Sequence, residues 1–293
     1  MKTILLIGGD SFIGSKFIIK YRNKYNFIII SRVKTNFKNE LIINDFFKIK
    51  DSLFNEADIL INFAAIVHSA ENIKREVYKK INYDLPIFLF EKAKENKIEH
   101  FIQMSSIAVY KRNGHINILT EEKPTTDYGL FKLKTDNFLI NNSENKISVS
   151  CIRPPMVYGY ISPGNMIKLI KIAKTSIPLP FKNINSKLSF IHVDNLIEFI
   201  HIAIVKQLFN VLIPTDKNET SVKEIIKIVR RNQNKTFKLF SMPKAIKWLF
   251  IFLAPNLYMK LFKNLTVECN VDDKIYKPKF DINDGVLKTL SKL

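Results

Sequence analysis

The sequence predicts an α/β fold in which a doubly wound parallel sheet is joined to a smaller C-terminal lobe. In the first half of the chain, short runs of apolar or β-branched residues, typical of strands buried on both faces, alternate with helical stretches. This alternation is typical of a parallel sheet that carries helices on both sides. The predicted strands are Ile4–Ile7, Phe27–Ile30, Ile59–Phe63, Phe101–Met104 and Val149–Ile152, and the predicted helices are Ile13–Tyr21, Val77–Asn96 and Tyr128–Asn141.

The second half of the chain, after Gly159, predicts a smaller lobe with shorter and more varied elements. No long Gly/Ser linker and no internal repeat separates the halves. We therefore expect one domain over residues 1–160 and a lobe over 161–293, with segments around 188–213 returning to the first domain. The expected elements are helices over Met166–Thr175 and Asn195–Lys206, an extended segment over Ile177–Phe181, strands over Leu188–Val193 and Asn210–Ile213, and a helix start in Thr220–Glu224.

Composition limits the classes of protein to consider. The 293 residues, 46% of them hydrophobic, are enough for a large globular core. The net charge of +19 comes mostly from lysines scattered through the chain without an RNA-binding signature, so we expect an anionic ligand and not a nucleic acid. Cys151 and Cys269 lie far apart without metal-binding spacing, which favours a reducing compartment, the cytoplasm.

Two apolar segments raise the question of a membrane. The N-terminal run is too short for a signal peptide and ends in a glycine turn, so we interpret it as the first strand. The later run from Trp248 to Ala254 stops at Pro255, well short of the ~20 residues that a membrane span needs. We expect its large side chains to pack in the core of the small lobe; the alternative is an amphipathic patch that touches a membrane surface. The residues concerned are Trp248, Phe250, Ile251 and Phe252, with Lys244, Lys247, Lys260 and Lys263 around them.

A glycine-rich loop follows the first predicted strand and opens the first predicted helix. It runs from Gly8 to Gly14 and has Ser11 where a dinucleotide-binding loop normally has a glycine. Glycines at such a turn let the backbone approach a pyrophosphate, which then lies on the helix N-terminus. The loop therefore favours a Rossmann-type domain with a dinucleotide cofactor over a purely structural turn.

The end of the second predicted strand bears on which cofactor is used. Ser31 and Arg32 stand where an acidic residue would bind the ribose 2′-hydroxyl of NAD, and an arginine can accept the 2′-phosphate of NADP. Arg32 thus favours NADP, although a solvated surface arginine explains the sequence equally well. Asp45 and Phe46 either contact the adenine or end a short strand.

Tyr128 and Lys132 are the strongest catalytic candidates, with Ser106 upstream. A Tyr and a Lys four residues apart lie on one face of a helix. We expect the lysine ammonium to lower the pKa of the phenol, and the serine hydroxyl to hold a substrate oxygen against it. This set can move a proton while a hydride moves elsewhere. His68, His192 and His201 show no metal-like grouping, so we predict no metal site, with His192 in a strand.

Together these residues resemble the extended short-chain dehydrogenase/reductase family, the NAD-dependent epimerase/dehydratase type, over nearly the whole chain. The segment from Gly8 to Gly14 is similar to its nucleotide loop, and the segment from Ser105 to Tyr110 is similar to its active-site strand. Further matching segments are Asn62–Ala65, Asn82, Tyr128 with Lys132, Arg153–Gly159, Gly164–Asn165 and Phe190–Asp194. Within the family these motifs are similar to those of bacterial UDP-hexose 4-epimerases and UDP-4-keto-6-deoxy-HexNAc 4-reductases, which supply surface-polysaccharide assembly.

The resemblance implies an NAD(P)-dependent oxidoreductase or epimerase that acts at C4 of a nucleotide sugar, and it makes a homodimer the expected assembly. It implies that Tyr128 exchanges a proton with the 4-hydroxyl, that Ser106 orients the oxygen, and that Lys132 holds the nicotinamide ribose. The implied substrate-binding residues are Ser106, Tyr128, Asn165 and Lys187. The implied cofactor-binding residues are Gly8, Ser11, Phe12, Ile13, Gly14, Arg32, Asp45, Phe46, Ala64, Ala65, Asn82, Tyr128 and Lys132.

One departure from the family pattern keeps other functions open. Leu188 stands where many relatives have an arginine for the diphosphate, and the adjacent Lys187 offers a point charge without bidentate geometry. This change fits the alternative of a reductase for a non-sugar carbonyl. A non-catalytic dinucleotide-binding protein, with a basic surface for RNA or membrane, is the alternative from another class. The complete set of Ser106, Tyr128 and Lys132 favours an enzyme.

Overall fold

The computed structural model describes residues 1–67, 73–111, 113–143, 147–243, 248, 252–253 and 263–293. It divides the chain into two compact units. The first unit consists of Met1–Lys111, Glu121–Arg153 and Ile197–Leu212. The second unit consists of Arg112–Thr120, Pro154–Leu196 and Ile213–Leu293. His68, Lys244, Lys247, Phe250, Ile251 and Lys260, named above, lie outside the described residues.

The described residues form strands and helices in the following order. The strands are β1 (Thr3–Ile7), β2 (Asn26–Ser31), β3 (Glu40–Ile42), β4 (Ile59–Asn62), β5 (His100–Met104), β6 (Gly114–Ile116), β7 (Ser148–Ile152), β8 (Met156–Tyr158), β9 (Phe190–His192), β10 (Asn210–Leu212) and β11 (Leu265–Val267). The helices are α1 (Phe12–Tyr21), α2 (Asp51–Asn55), α3 (Arg75–Lys79), α4 (Leu85–Glu95), α5 (Asp127–Asn141), α6 (Asn165–Ala173), α7 (Val193–Val205), α8 (Val222–Asn232) and α9 (Ile282–Leu290).

A seven-stranded parallel sheet forms the centre of the first unit. Its strand order is β10-β7-β5-β4-β1-β2-β3, and every pairing in it is parallel. From β1 the sheet grows in both directions: β2 and β3 lie on one side, and β4, β5, β7 and β10 lie on the other. In open α/β sheets, ligands bind where the strand order reverses in this way, beyond the carboxyl ends of the strands. The predicted α/β fold with a doubly wound parallel sheet is confirmed.

The helices of the first unit pack on this sheet and build its core. All five residues of β5 are buried, as are most residues of the other central strands, because each strand is covered on both faces. Phe90 of α4 meets Phe101 of β5 edge to face, with ring centroids 5.6 Å apart. The predicted long helix after residue 77 exists as α3, a π-helical turn over Lys80–Asp84, and α4 in direct succession.

The second unit has its own core and two small sheets. β8 pairs with β9, and β11 pairs with β6, both in parallel. Buried side chains from the helices α6, α8 and α9 pack together with Tyr158 in one hydrophobic cluster. Gly285 of α9 lies against Tyr158 so closely that a Cβ there would come within 2.0 Å of the phenolic oxygen, so this helix needs a glycine at the contact.

The described residues of the late apolar segment, Trp248, Phe252 and Leu253, do not lie in the core. We expected Trp248 and Phe252 to pack inside the small lobe, but their side chains are 73% and 84% exposed. Hydrophobicity alone did not reveal this, because the run contains no polar alternation that would assign a buried face. Within the described residues, no helix has the length and apolar character to cross a membrane.

Candidate active site

The glycine-rich loop between β1 and α1 is tightly packed against the neighbouring strand ends. Gly8 has a φ of +86°, and a Cβ there would come within 2.9 Å of the backbone nitrogen of Ala64. A Cβ at Gly14 would come within 2.5 Å of the carbonyl oxygen of Gly8. Both positions therefore require glycine, one for its backbone angle and both for the close approach.

Ser11 has a structural role in this loop that explains its departure from the usual glycine. Its side chain caps α1 by accepting the backbone N–H of Gly14 at 3.0 Å. Serine is among the preferred residues at this helix position, and the cap satisfies one of the free N–H groups of the first turn. The remaining N–H groups and the helix dipole still favour an anion at this end of α1.

A cavity of about 710 Å³ lies beside the loop, within the first unit. Arg32, Asp45 and Phe46, which the sequence predicts as cofactor-binding residues, line it. Its complete lining consists of Gly8, Asp10, Ser11, Arg32, Asn44, Asp45, Phe46, Phe47, Phe63, Ala64, Ala65, Ile66, Val77, Lys80 and Ile81. Phe12, Ile13 and Gly14 form the first turn of α1 and are not part of the lining.

The cavity fits a dinucleotide. The loop beside the cavity contains two positions, Gly8 and Gly14, that have no room for a side chain. Ser11, which caps the N-terminus of α1, lines the cavity, and Phe46 and Phe47 supply apolar surface. Glycine-bounded turns of this kind accept a pyrophosphate, and an apolar wall accepts a base. Sequence reasoning did not assign eight of the lining residues to cofactor binding. Two of them, Asp10 and Phe63, lie inside motifs that were recognised, and the other six have no distinct motif: Asn44, Phe47, Ile66, Val77, Lys80 and Ile81.

Arg32 is the residue at the end of β2 that faces the cavity. The nearest acidic residue on the adjacent strand, Glu40, is already engaged, because it accepts hydrogen bonds from the backbone N–H of Thr35 at 2.9 Å and of Asn36 at 3.1 Å. These bonds, together with one from the Thr35 hydroxyl, lower the pKa of Glu40 in spite of some desolvation. Glu40 thus holds the loop after β2 and is absent from the cavity lining.

Asn82 connects the cavity wall to α5, the helix that carries Tyr128 and Lys132. Its fully buried side chain accepts the N–H of Ile66 at 3.1 Å and donates to the Ile66 carbonyl at 2.9 Å. Its own carbonyl accepts the hydroxyl of Thr135, on α5, at 2.6 Å. Asn82 does not line the cavity itself; it holds the backbone of Ile66, which does.

Ser106 and Tyr128 are joined at the carboxyl end of β5. A side-chain hydrogen bond connects them, and Ser106 also accepts the backbone N–H of Ala108 at 3.1 Å. The helix α5 approaches this turn closely, since a Cβ at Gly129 would come within 2.1 Å of the carbonyl oxygen of Ala108. The glycine after Tyr128 therefore allows the phenol to reach the serine.

Lys132 lies one helical turn after Tyr128, but its ammonium is directed elsewhere. The side chain is fully buried, and Nζ donates to the Met104 carbonyl at 2.7 Å while lying 6.0 Å from the centre of the Tyr128 ring. Burial lowers the pKa of Lys132 to about 8, although Asp136 raises it. Gln103 Nε2 donates to the same carbonyl at 3.0 Å.

The expected lowering of the Tyr128 pKa is wrong. The surrounding protein atoms desolvate the phenol and raise its pKa to about 12, even though part of the side chain remains exposed. The hydrogen bond from Ser106 acts in the opposite direction, and the negative charge of Asp136 raises the pKa further. Spacing along a helix predicted that Lys132 is near, but not that a backbone carbonyl would hold its ammonium.

A buried ionic network that the sequence did not reveal lies next to these residues. Asp136 accepts the hydroxyl of Ser105 at 2.7 Å and Nε of Arg153 at 2.8 Å. Arg153 also donates to Tyr110 Oη at 2.8 Å and to Glu122 at 2.5 Å. Because Ser105 is occupied with Asp136 and Ser106 with Tyr128, the network favours Ser106 as the serine that meets a substrate.

The remaining predicted substrate residues belong to the second unit. Asn165 is the first residue of α6, after Gly164. The Lys187 side chain is 70% exposed and pairs with Glu219 at 3.3 Å. Leu188 is buried and exchanges backbone hydrogen bonds with Thr220 at 2.7 and 2.9 Å, so it has a packing role in this unit. His192 is the last residue of β9, as predicted.

Comparison with known proteins gives a consistent result. Residues 4–211 match the model of the NAD dependent epimerase/dehydratase family. The chain is 26% identical over 246 residues to a UDP-glucose 4-epimerase of Vibrio cholerae, covering 77% of this chain and 74% of that protein. It is 24% identical over 263 residues to an N-acetyl-alpha-D-glucosaminyl-diphospho-ditrans,octacis-undecaprenol 4-epimerase of Escherichia coli O157:H7, covering 84% of this chain and 77% of that protein.

The fold is shared with solved structures. A UDP-glucuronic acid 4-epimerase from Bacillus cereus, in complex with NAD, superposes with a TM-score of 0.78 at 18% identity. The superposition covers 99% of this chain and 98% of the other. At this level of identity the likeness shows a common fold.

Proposed function

Because the chain belongs to the NAD dependent epimerase/dehydratase family, we propose that it is a nucleotide-sugar 4-epimerase that exchanges hydride at C4 of its substrate. The observation that carries the proposal is the hydrogen bond between Ser106 and Tyr128 beside the buried Lys132, in the same unit as the cavity. These are the groups that a proton transfer at a sugar hydroxyl requires. The UDP-linked sugar of the Vibrio cholerae relative's name is the substrate class that we assign.

The cofactor in this proposal occupies the cavity of the first unit. The loop from Gly8 to Gly14 and the N-terminus of α1 would hold its pyrophosphate, and Phe46 and Phe47 would offer an apolar wall to the adenine. When bound, NAD supplies acceptance and return of the hydride at C4. We assign the choice between NAD and NADP to Arg32, whose guanidinium suits a 2′-phosphate.

Tyr128 is the proton carrier at the sugar oxygen. With a pKa of about 12, the phenol is protonated at neutral pH and can donate to an oxygen that gains negative charge at C4. Ser106 is hydrogen-bonded to the phenol and can donate to the same oxygen, so it orients the acceptor. In the opposite direction Tyr128 takes the proton from the 4-hydroxyl, a step that requires a lower phenol pKa.

Lys132 supplies the positive charge for that step. The carbonyl that it contacts, Met104 O, keeps Gln103 as a second donor, so Lys132 can turn away without leaving a buried acceptor unsatisfied. An ammonium brought closer to the phenol stabilises the phenolate. In the proposal Lys132 also binds the ribose hydroxyls next to the nicotinamide.

The second unit binds the nucleotide sugar in this scheme. Asn165 at the start of α6 contacts the diphosphate, and Lys187 adds a positive charge near it. Cys151 and Cys269 are both free thiols, which agrees with our assignment of the enzyme to the cytoplasm. We assign a homodimer on the family resemblance, and sedimentation velocity measures the assembly directly.

A first experiment separates an epimerase from a 4-keto reductase. The purified protein is denatured and any released nucleotide is identified by mass spectrometry. An epimerase regenerates its cofactor in each turnover and is expected to retain NAD, whereas a reductase exchanges its cofactor and is expected to be empty but to bind NADPH. Protein that is empty and binds neither cofactor contradicts the proposal and supports a non-catalytic function.

A second substrate class is favoured by one observation. The name of the Escherichia coli relative describes a sugar held by diphosphate on undecaprenol. Trp248, Phe252 and Leu253 are exposed in this chain, as an enzyme that meets a lipid-held sugar would need. Parallel assays with UDP-N-acetylglucosamine and with the undecaprenol-linked sugar in detergent distinguish the two: conversion of the lipid-linked sugar alone would replace the UDP-sugar assignment.

A further inference from the structure

Two segments of the second unit contain basic residues and no acidic ones. Residues 161–193 include five lysines, and residues 225–267 include seven lysines and two arginines, with no Asp or Glu in either. Together they carry fourteen positive charges of a chain whose net charge is +19. The lysines are scattered through the chain, but the net positive charge is concentrated in these two segments because acidic residues are absent from them, which composition alone does not reveal.

The structure brings these two segments together. The buried guanidinium of Arg230 donates to three backbone carbonyls, those of Ala173 at 3.4 Å, Ile177 at 2.6 Å and Lys238 at 3.0 Å. Three further backbone hydrogen bonds, between 3.0 and 3.2 Å, pair Leu179 and Lys182 with residues 238–240. Because the Arg230 guanidinium is buried and bonded to these carbonyls, the surface charge comes from the other basic residues of the two segments.

Large apolar side chains project from the joined segments beside these lysines. Ile172, Ile177, Phe237 and Phe240 are exposed, and so are Lys171, Lys182, Lys235 and Lys238. We call these eight residues the basic–apolar surface. Lys187 and Lys227, which pair with Glu219 and Glu224, are not counted in it.

The same acid-free segment continues from Phe240 to further exposed apolar residues. Trp248, Phe252 and Leu253 are 73%, 84% and 68% exposed, which is far more than large apolar side chains usually show in a soluble domain. Tryptophan is typical of protein segments at the membrane–water interface, where its ring is apolar and its N–H remains hydrated. Lysines next to exposed aromatic residues are typical of peripheral membrane contacts.

We propose that the basic–apolar surface, with Trp248, Phe252 and Leu253, binds the surface of a bilayer that contains anionic phospholipids. Charge complementarity identifies this occupant, since each lysine near an anionic leaflet contributes to binding and the apolar side chains enter the headgroup region. The association is peripheral and reversible, and it falls with ionic strength. The proposal concerns the surface of the second unit and does not depend on the reaction assigned above.

The protein itself carries the reporter for the test. Trp248 is the only tryptophan of the chain, so its fluorescence reports directly on this segment. The full-length protein is titrated with vesicles of equal parts phosphatidylglycerol and phosphatidylcholine, and with vesicles of phosphatidylcholine alone. We expect emission to shift to shorter wavelength and the protein to sediment with the anionic vesicles only, with both effects lost at high salt.

A charge-reversal pair separates this surface from the overall charge. Lys171→Glu with Lys238→Glu is expected to weaken partitioning onto anionic vesicles by roughly tenfold or more, because two attractive charges become repulsive. Lys38→Glu with Lys50→Glu changes two exposed lysines of the first unit by the same total charge and is expected to have a much smaller effect. Equal weakening by both pairs would mean that net charge alone attracts the protein.

Three other outcomes overturn the proposal. Unchanged Trp248 emission with anionic vesicles means that the segment does not enter a bilayer. A larger shift with single-stranded RNA than with vesicles assigns the surface to nucleic acid. Emission that is already at short wavelength in a concentration-dependent dimer, without vesicles, assigns it to a second copy of this chain.

Discussion

Arg153 donates from Nε to Asp136 at 2.8 Å, and both side chains are almost completely buried. The contact joins the residue after β7 to the helix that carries Tyr128 and Lys132. It is a close ion pair in an interior where an unpaired charge would be costly. Burial raises the pKa of the Asp136 carboxyl, and the positive charge of Arg153 is the largest influence that lowers it. Helix α5 is therefore held by a charge pair whose two members depend on each other.

Asp136→Asn is expected to destabilise the protein by about 3–5 kcal/mol, because among the described residues it leaves the buried Arg153 with Glu122 as its one acidic partner. Chemical denaturation measures the free energy of unfolding. Asp127→Asn is the matched control on the same helix: its pair with Arg75 is exposed, so we expect a loss below about 1 kcal/mol. Equal losses in the two variants would remove the argument for the buried pair.

Tyr128→Phe is expected to reduce turnover by roughly 10²–10⁴-fold, because the phenolic proton is lost while the ring remains. Cofactor affinity, measured by calorimetry, should change little. Tyr83→Phe removes a hydroxyl from another partly buried tyrosine of the same unit and should leave turnover unaffected. Turnover that survives in Tyr128→Phe would exclude this residue from the proton transfer.

Lys132→Met is expected to separate activity from stability. Turnover should fall by about 10²–10³-fold through loss of the positive charge. The free energy of unfolding should stay the same or rise, since a buried charge is replaced by an apolar side chain and Gln103 still donates to the Met104 carbonyl. Lys134→Met, an exposed position on the same helix, controls for the loss of charge. A strongly destabilised Lys132→Met would show that the lysine is primarily structural.

Arg32→Asp is expected to shift the ratio of affinities from NADPH towards NADH, because a carboxylate repels a 2′-phosphate and can accept a ribose hydroxyl. Binding constants for both cofactors provide the ratio. Lys34→Asp makes a similar charge change two residues later, outside the cavity lining, and should leave the ratio unchanged. If both variants move the ratio equally, Arg32 acts only through general charge.

Asp216 is expected to make the stability of the second unit depend on pH. This buried carboxyl accepts the N–H of His192, Asn195 Nδ2 at 2.6 Å and the hydroxyl of Tyr158 at 3.1 Å, yet burial raises its pKa from 3.8 to about 7. Between these values the folded state holds a proton that the unfolded state releases, so stability falls as the pH rises through this range. Above about pH 7 this contribution is lost.

The measurement is the free energy of unfolding at about pH 5 and about pH 8 for the wild type and for Asp216→Asn. The wild type should lose more stability between the two values than the variant, which cannot ionise at this position. Parallel pH profiles for the two proteins would contradict the assignment.

The sequence was a sufficient guide to the centre of the first unit. The strands β1, β2, β4, β5 and β7 were predicted because burial on both faces produces continuous apolar runs. Four of the six three-residue strands, β3, β6, β8 and β11, were missed because so short a segment has no measurable period; β9 and β10 were predicted because they lie in longer apolar runs. Helix α9 was also missed, because its N-cap, Asp281, was not recognised.

The site was predictable as a set of residue types but not in its electrostatics. The spacing of Tyr128 and Lys132 predicted their helix face, whereas the pKa of Tyr128 depends on desolvation and on the carbonyl that holds Lys132. From the sequence, Ser11 was only a departure from the usual glycine, whereas in the structure its side chain caps α1. The exposure of Trp248 likewise depends on packing that no local pattern encodes.

The central claim, reversible hydride exchange at C4, is tested most directly with an isotopic label. UDP-glucose that carries deuterium at C4 is incubated with the enzyme and NAD, and the C4-epimeric product is analysed by NMR and mass spectrometry. The account predicts a product that retains the deuterium at C4, because the same hydride leaves and returns. Product that has lost the label to solvent, or the absence of any C4 epimer from UDP-glucose and from UDP-N-acetylglucosamine, would contradict it.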